Sequence, residues 1–256
     1  GSIVSSNTSS IPISQLSQGR SEEFKKHFCG THFFNPPRYL RLLEIIPIAE
    51  TQPELVDFFM HFGEINLGKQ TVLCKDTPAF IANRIGVMSG VKVFDLTQQY
   101  DLTIEEVDAL TGALIARPNT GTYRLQDLVG LDTGEKVTQF VVNNVENDSF
   151  FEPLGKAPET KFMTFLLENN FLGNKTGKGF YHKTDKKDQN GKTIINALDL
   201  KTLEYKPSVR PKNPIFKEGK AIENMDKRML FLMGKEGKES LFLKDYFAAI
   251  FAYVVW

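Results

Sequence analysis

The stretch GTHFFNPPRYLRLLEIIP, residues 30–47, holds a histidine, His32, and twelve residues later an acid, Glu44, set in a run of leucine and isoleucine. An ionised carboxylate among aliphatic side chains loses much of its hydration and is tolerated only with a partner. His32 is the nearest candidate in the sequence. If THFF and LRLLEII are neighbouring strands, imidazole and carboxylate meet across them. The carboxylate then accepts one ring N–H and fixes the tautomer, leaving the other nitrogen free as a general base. A core histidine with a structural hydrogen bond has the same spacing, and spacing alone does not choose between the two. The apolar setting of Glu44 tilts the reading toward function, because buried acid–base pairs with altered proton affinity mark active sites.

Other polar groups are weaker signals. Asn7, Thr8 and Ser9, in SSNTSS at residues 5–10, can offer amide and hydroxyl groups to a ligand from a strand end, although such clusters usually only make turns. Asn83 stands beside Ile81 and Ile85, so its amide is either satisfied by backbone or pointed into a pocket. GNKTGKG, residues 173–179, invites comparison with a phosphate loop. That loop needs four residues between its glycines and Ser or Thr after the lysine. Here three intervene and Gly179 follows Lys178, so it is not one. G-x-G-x-x-G occurs nowhere in the chain. The spacing of His27, Cys29 and His32 matches no standard zinc site, and no metal is expected.

The elements that must place these groups begin with strands and turns over residues 1–47. Ile3-Val4, GTHFF and LRLLEII read as strands, and strand periodicity puts Leu42, Glu44 and Ile46 on one face. TQPE suggests a capping box, Thr51 to Glu54, opening a helix that runs to Gly63. KQTVLCK is a further strand. In KDTPAFIANRIG, Thr77 is the expected N-cap and Pro78 the first helical residue. TIEE, Thr103 to Glu106, is a second capping box for a helix ending at Arg117-Pro118. YRLQDLVGLD, GEKVTQFVVNNV and PETKFMTFLLENN are helical, TIINALDLKTLEYKP reads as a hairpin turning near residues 199–202, and the remainder returns to helix.

Composition limits the functional classes. The chain has 256 residues, with 31 basic and 31 acidic side chains, so no global field recruits nucleic acid or an anionic membrane. Two cysteines without C-x-x-C spacing suit a reduced, cytoplasmic setting. No secretory signal is visible, and YFAAIFAYVVW is too short to span a bilayer. That final apolar run suggests a missing packing partner, hence self-association or docking to an absent helical repeat.

Taken in order, SNTSS, GTHFFNPP with a glutamate twelve residues past the histidine, KDTPAFIANRIG, DLVGLDT and FLGNKTGKGFY resemble the L-3-hydroxyacyl-CoA dehydrogenase family, from residue 3 to about residue 182. The resemblance implies a mainly α fold, with the last strands of a Rossmann NAD-binding domain over 1–74. A helical domain like that of 6-phosphogluconate dehydrogenase follows over 75–185, and then a hairpin and helical linker over 186–256, as in long bacterial multidomain members. It implies oxidation of L-3-hydroxyacyl-CoA to 3-ketoacyl-CoA with NAD, as in fatty-acid β-oxidation. His32 matches the catalytic histidine and Glu44 its orienting carboxylate. Ser9 and Asn83 match substrate contacts, while Ser9, Asn35 and Lys175 match cofactor contacts. Two departures stand out: Ala79 replaces the usual glycine of KDTPGF, read here as a mild change, and the glycine fingerprint for pyrophosphate is absent. The chain alone is therefore expected to hold NAD weakly and to be inactive. The competing readings are an acyl-CoA-binding or dimerisation module without catalysis, and a Ser9–His32–Glu44 hydrolase, against which the lack of G-x-S-x-G counts.

Overall fold

The computed structural model describes residues 2–154 and 160–255. The chain divides into two compact units: Gly1–Val87 with Gln139–Gly155, and Met88–Thr138 with Lys156–Trp256.

The first unit is built on a four-stranded sheet. Its elements are β1 (Val4–Ser6), α1 (Ile13–Leu16), α2 (Glu22–Lys26), β2 (Phe28–Phe33), β3 (Leu42–Pro47), α3 (Pro53–His61) and β4 (Gln70–Leu73). The strand order is β1-β2-β3-β4, with β1 parallel to β2, β2 antiparallel to β3, and β3 parallel to β4. The period of two sorts the side chains onto two faces. Cys29, Leu43 and Ile45 meet Leu55 of α3 on one face, and Phe28 and Ile46 meet Ile13 and Phe80 on the other. Gly30 is needed there, since a Cβ at that position would lie 2.7 Å from the Ile13 side chain.

Several local expectations fail for identifiable reasons. Residues 1–47 are not only strands and turns, because α1 and α2 intervene. The signal for α2 lies in SEEFKK: Ser21 caps Phe24 N, with acids in the first turn and lysines in the last. Thr51 does not cap α3. Its hydroxyl accepts from Ile48 N and donates to Phe28 O, and Gln52 takes the N-cap position before Pro53. Helix α4 (Ala82–Gln99) begins five residues beyond the expected Thr77 cap. The cause is the backbone at Ala79 and Phe80, both left-handed at φ 62° and 52°. That turn cannot propagate as a right-handed helix.

In the second unit, α5 (Ile104–Thr111) has both bonds of its capping box, between Thr103 and Glu106. It stops at Gly112 rather than at Arg117, and a 3₁₀ turn, Ala113–Ile115, fills the gap. Next come α6 (Tyr123–Val129), α7 (Leu131–Asn144), whose residues from Gln139 on belong to the first unit as does the single turn α8 (Phe151–Leu154), and α9 (Lys161–Glu168). The expected hairpin is the later part of a three-stranded antiparallel sheet, β5 (Tyr181–Lys187), β6 (Thr193–Leu198) and β7 (Tyr205–Pro207). Asp199 closes its turn by accepting from Lys201 N and Thr202 N. Helices α10 (Pro214–Ala221), α11 (Met225–Gly234) and α12 (Lys238–Val255) complete the unit. Its core joins Val93, Leu96, Leu110, Tyr123, Phe162 and Phe180 to Leu232 and Phe242. Among the described residues no helix is long and apolar enough to cross a membrane.

Candidate active site

His32 stands near the end of β2, and the antiparallel register pairs it with Glu44 on β3. Directly opposed residues share a face of the sheet with their Cβ atoms about 5 Å apart, so the side chains meet without distortion. His32 Nδ1 lies 2.6 Å from Glu44 Oε2, with the histidine 4% and the glutamate 1% exposed. Phe34 and Phe80 flank the imidazole, with ring centroids 4.4 and 5.7 Å away. Because the carboxylate accepts, Nδ1 carries the proton and Nε2 presents its lone pair. Among the described residues Nε2 forms no hydrogen bond.

Glu44 has a second anchor. Its Oε1 accepts from Ile81 N at 3.1 Å and Ala82 N at 2.8 Å, the amides at the start of α4. Those donors have no partner within the helix, and the helix dipole favours negative charge there. An acid that looks misplaced in an oily strand is thus held by three donors. The left-handed turn at Ala79 and Phe80 delivers those amides. Both residues are buried, and Ala79 N donates to Ser10 O at 3.0 Å. The alanine at this position is therefore no mild change at a helix start; it occupies backbone space that favours glycine.

Next to this pair, Asn83 Nδ2 donates to Ser9 O at 2.8 Å, tying the first turn of α4 to the SNTSS loop. Ser9 is exposed, and among the described residues its hydroxyl has no hydrogen bond to His32, so no Ser–His–Glu relay is formed. Asn7 serves the loop itself: its Oδ1 accepts from Phe33 N at 2.9 Å. Asn35 is exposed just past β2. Lys175 belongs to the second unit, on the 3₁₀ turn Asn174–Thr176, and pairs with Asp132. The structure therefore gathers His32, Glu44, Ser9 and Asn83 within one unit, while Lys175 lies in the other.

Three supporting groups escaped sequence reasoning. Asp76 accepts from Ile13 N and Ser14 N, fixing α1 against the segment that leads to Ala79. Arg84, on the first turn of α4, donates to the buried Asp148, whose other oxygen accepts from Phe150 N and Phe151 N. Asp127 of α6 accepts from Phe180 N and Tyr181 N, both at 2.8 Å. Apart from the local turn that Asp148 closes, each contact spans more than fifty residues, a separation that carries no local pattern. Asp127 also accounts for the glycine-rich loop: a Cβ on Gly179 would fall 2.1 Å from its Oδ1, and one on Gly173 2.3 Å from its carbonyl. The loop is glycine-rich so that backbone can close over a buried carboxylate.

Burial pushes the Cys29 and Cys74 thiols up to about 12, so both stay protonated and unreactive at neutral pH. The negative charge of Glu44 adds to the shift at Cys74. Among the described residues no cluster of three His, Cys, Asp or Glu side chains is placed to hold a metal ion.

Comparison with known proteins adds the family. Residues 1–77 match the profile "3-hydroxyacyl-CoA dehydrogenase, NAD binding domain", and residues 80–183 match "3-hydroxyacyl-CoA dehydrogenase, C-terminal domain". A Bacillus subtilis protein named "Probable 3-hydroxyacyl-CoA dehydrogenase" is 44% identical over 91% of this chain and 28% of its own length. The human "Hydroxyacyl-coenzyme A dehydrogenase, mitochondrial" is 35% identical over 70% of this chain and 54% of its own. The crystal structure of (S)-3-hydroxybutyryl-CoA dehydrogenase from Ralstonia eutropha aligns at a TM-score of 0.58 with 29% identity, over 69% of this chain and 59% of that one. The chain thus spans between about a quarter and about half of the curated relatives it matches. With two consecutive family profiles covering residues 1–77 and 80–183, this chain belongs to the 3-hydroxyacyl-CoA dehydrogenase family.

Proposed function

We infer that this chain carries the proton-accepting centre of an enzyme that oxidises L-3-hydroxyacyl-CoA to 3-ketoacyl-CoA with NAD, the chemistry of fatty-acid β-oxidation. The observation that carries the reading is His32, with Nδ1 committed to Glu44 at 2.6 Å and Nε2 uncommitted. His32 Nε2 takes the proton of the substrate 3-hydroxyl. Glu44 holds the imidazole in the required tautomer and stabilises the imidazolium that forms, while the α4 amides hold Glu44. Asn83 and Ser9 orient the substrate oxygen. NAD, when bound, would supply the acceptor for the hydride leaving C3.

The donor set suits the proton half of that reaction. The pyrophosphate half has no match in these residues, because no G-x-G-x-x-G occurs among them. Asn35 and Ser9 are the cofactor contacts on this reading, and these 256 residues alone hold NAD too weakly to turn over. Residues 1–74 are the end of a Rossmann domain, 75–185 a helical domain of the 6-phosphogluconate dehydrogenase type, and 186–256 a linker toward a second helical repeat. The gap between the two profile matches, at residues 78–79, supports the first boundary. A cytoplasmic setting accords with the two free, buried cysteines. Self-association through the exposed Phe251, Val254 and Val255 of α12 belongs to the same proposal.

Isothermal titration with acetoacetyl-CoA tests the substrate assignment: binding that weakens in Asn83→Ala supports it, and absence of binding overturns it. NADH formation from L-3-hydroxybutyryl-CoA by the chain alone would refute the expected cofactor deficit. A monomeric mass by light scattering would remove the self-association.

A further inference from the structure

The second unit contains a cavity of about 900 Å³ that no part of the proposed reaction uses. Its walls come from the start of α5, the N-terminus of α9, the β6–β7 turn, the end of β7 and the irregular segment 209–212. Leu200, Val209 and Pro211 offer it accessible apolar surface, backed by the buried Leu102, Ile104, Phe162 and Leu198.

The charges at its rim are unevenly committed. Asp101 pairs with Lys201 at 2.7 Å, Asp199 with Lys206 at 2.6 Å, and Glu106 with Lys238 at 3.3 Å. Glu105 accepts from Val209 N at 3.1 Å. Every acid lining the cavity is thereby engaged. Lys161, Arg210 and Lys212 also line it, and among the described residues none of the three forms an ion pair.

We propose that this cavity binds an amphipathic anion: an alkyl chain on the apolar lining, with a carboxylate or phosphate head held by Lys161, Arg210 and Lys212. The size accords with ordinary small-molecule sites, which run to about 1,000 Å³. None of His32, Glu44, Ser9 and Asn83 lines it, so the site is independent of the proposed chemistry.

The test is isothermal titration of the full chain with dodecanoate, dodecyl phosphate, dodecanol and inorganic phosphate, each below its aggregation threshold. One equivalent of dodecanoate or dodecyl phosphate should bind, and the tighter of the two identifies the head group. Dodecanol and inorganic phosphate should each bind at least about tenfold more weakly, since each lacks one of the two required parts. Lys161→Gln combined with Arg210→Gln, both exposed positions, should weaken the alkyl anion about tenfold with unchanged circular dichroism. The proposal is overturned if no alkyl anion binds, if dodecanol or inorganic phosphate binds as tightly, or if the double variant binds as the parent does.

Discussion

Glu44 offers the sharpest test of how the site is held, through a comparison of Glu44→Ala with Glu44→Gln. The carboxylate satisfies His32 Nδ1 and the amides of Ile81 and Ala82, and it is 1% exposed. Alanine removes all three acceptor contacts and leaves a hole. Each orphaned buried donor costs about 1–3 kcal/mol, and water entering the space recovers part of that, so a loss of about 3–5 kcal/mol is expected. Glutamine keeps the volume and one oxygen, which serves both helix amides. Its NH₂ group then faces His32 Nδ1, and the imidazole must carry its proton on Nε2 to accept there. That exchange gives up the charge-assisted bond and relieves the burial of a charge, for a net cost of about 1–2 kcal/mol. Urea unfolding gives the two stabilities, and nitrogen NMR of the imidazole reports the tautomer. The parent should show Nδ1–H, Glu44→Gln should show Nε2–H, and alanine should be the worse variant by about 2 kcal/mol. Equal stabilities for the two variants, or an Nε2–H tautomer in the parent, would show that Glu44 does not orient the imidazole through these bonds.

The other predictions concern backbone and burial. At Ala79, φ is 62° and the methyl is fully buried. Relief of left-handed strain, about 1–2 kcal/mol, nearly offsets the lost methyl and added chain entropy, so thermal unfolding should find Ala79→Gly within about 1 kcal/mol of the parent. Ala79→Val, branched at a left-handed residue, should lose about 2 kcal/mol or more. Gly179→Ala should cost about 3 kcal/mol or more in a denaturant titration, because its Cβ would collide with Asp127. Gly177→Ala, left-handed but with open space around it, should cost only about 1 kcal/mol. Burial pushes the Asp108 and Asp127 carboxyls up from 3.8 to about 6 despite their hydrogen bonds. Between pH 4 and 6 the folded chain holds protons that the unfolded chain has released, so stability falls as pH rises, by about 3 kcal/mol per group. The urea midpoint should decline across that window, and Asp108→Asn should remove roughly half of the decline.

The legible parts of this protein are those written in short spacings. Alternation in THFF and LRLLEII placed two strands, and the sheet pairs His32 with Glu44 in direct register because an antiparallel connection leaves few alternatives. The Thr103–Glu106 box and the hairpin about Asp199 were equally local. The Thr51 and Thr77 caps were misread because the same residue types hydrogen-bond backbone elsewhere, or precede a turn that the helix cannot enter. The glycine-rich loop was excluded as a phosphate site by its spacing, but its reason for being lay in Asp127, some fifty residues earlier.

By itself, then, the sequence named an imidazole and an acid that would meet if their two strands were neighbours, because a strand repeats every two residues and a buried charge needs a partner. Only the tertiary structure decided what holds the acid: the α4 amides, 37 and 38 residues away, brought round by a left-handed turn at two buried residues. A contact at that separation leaves no periodic trace in the chain, since it depends on where the whole unit packs rather than on which residues are neighbours.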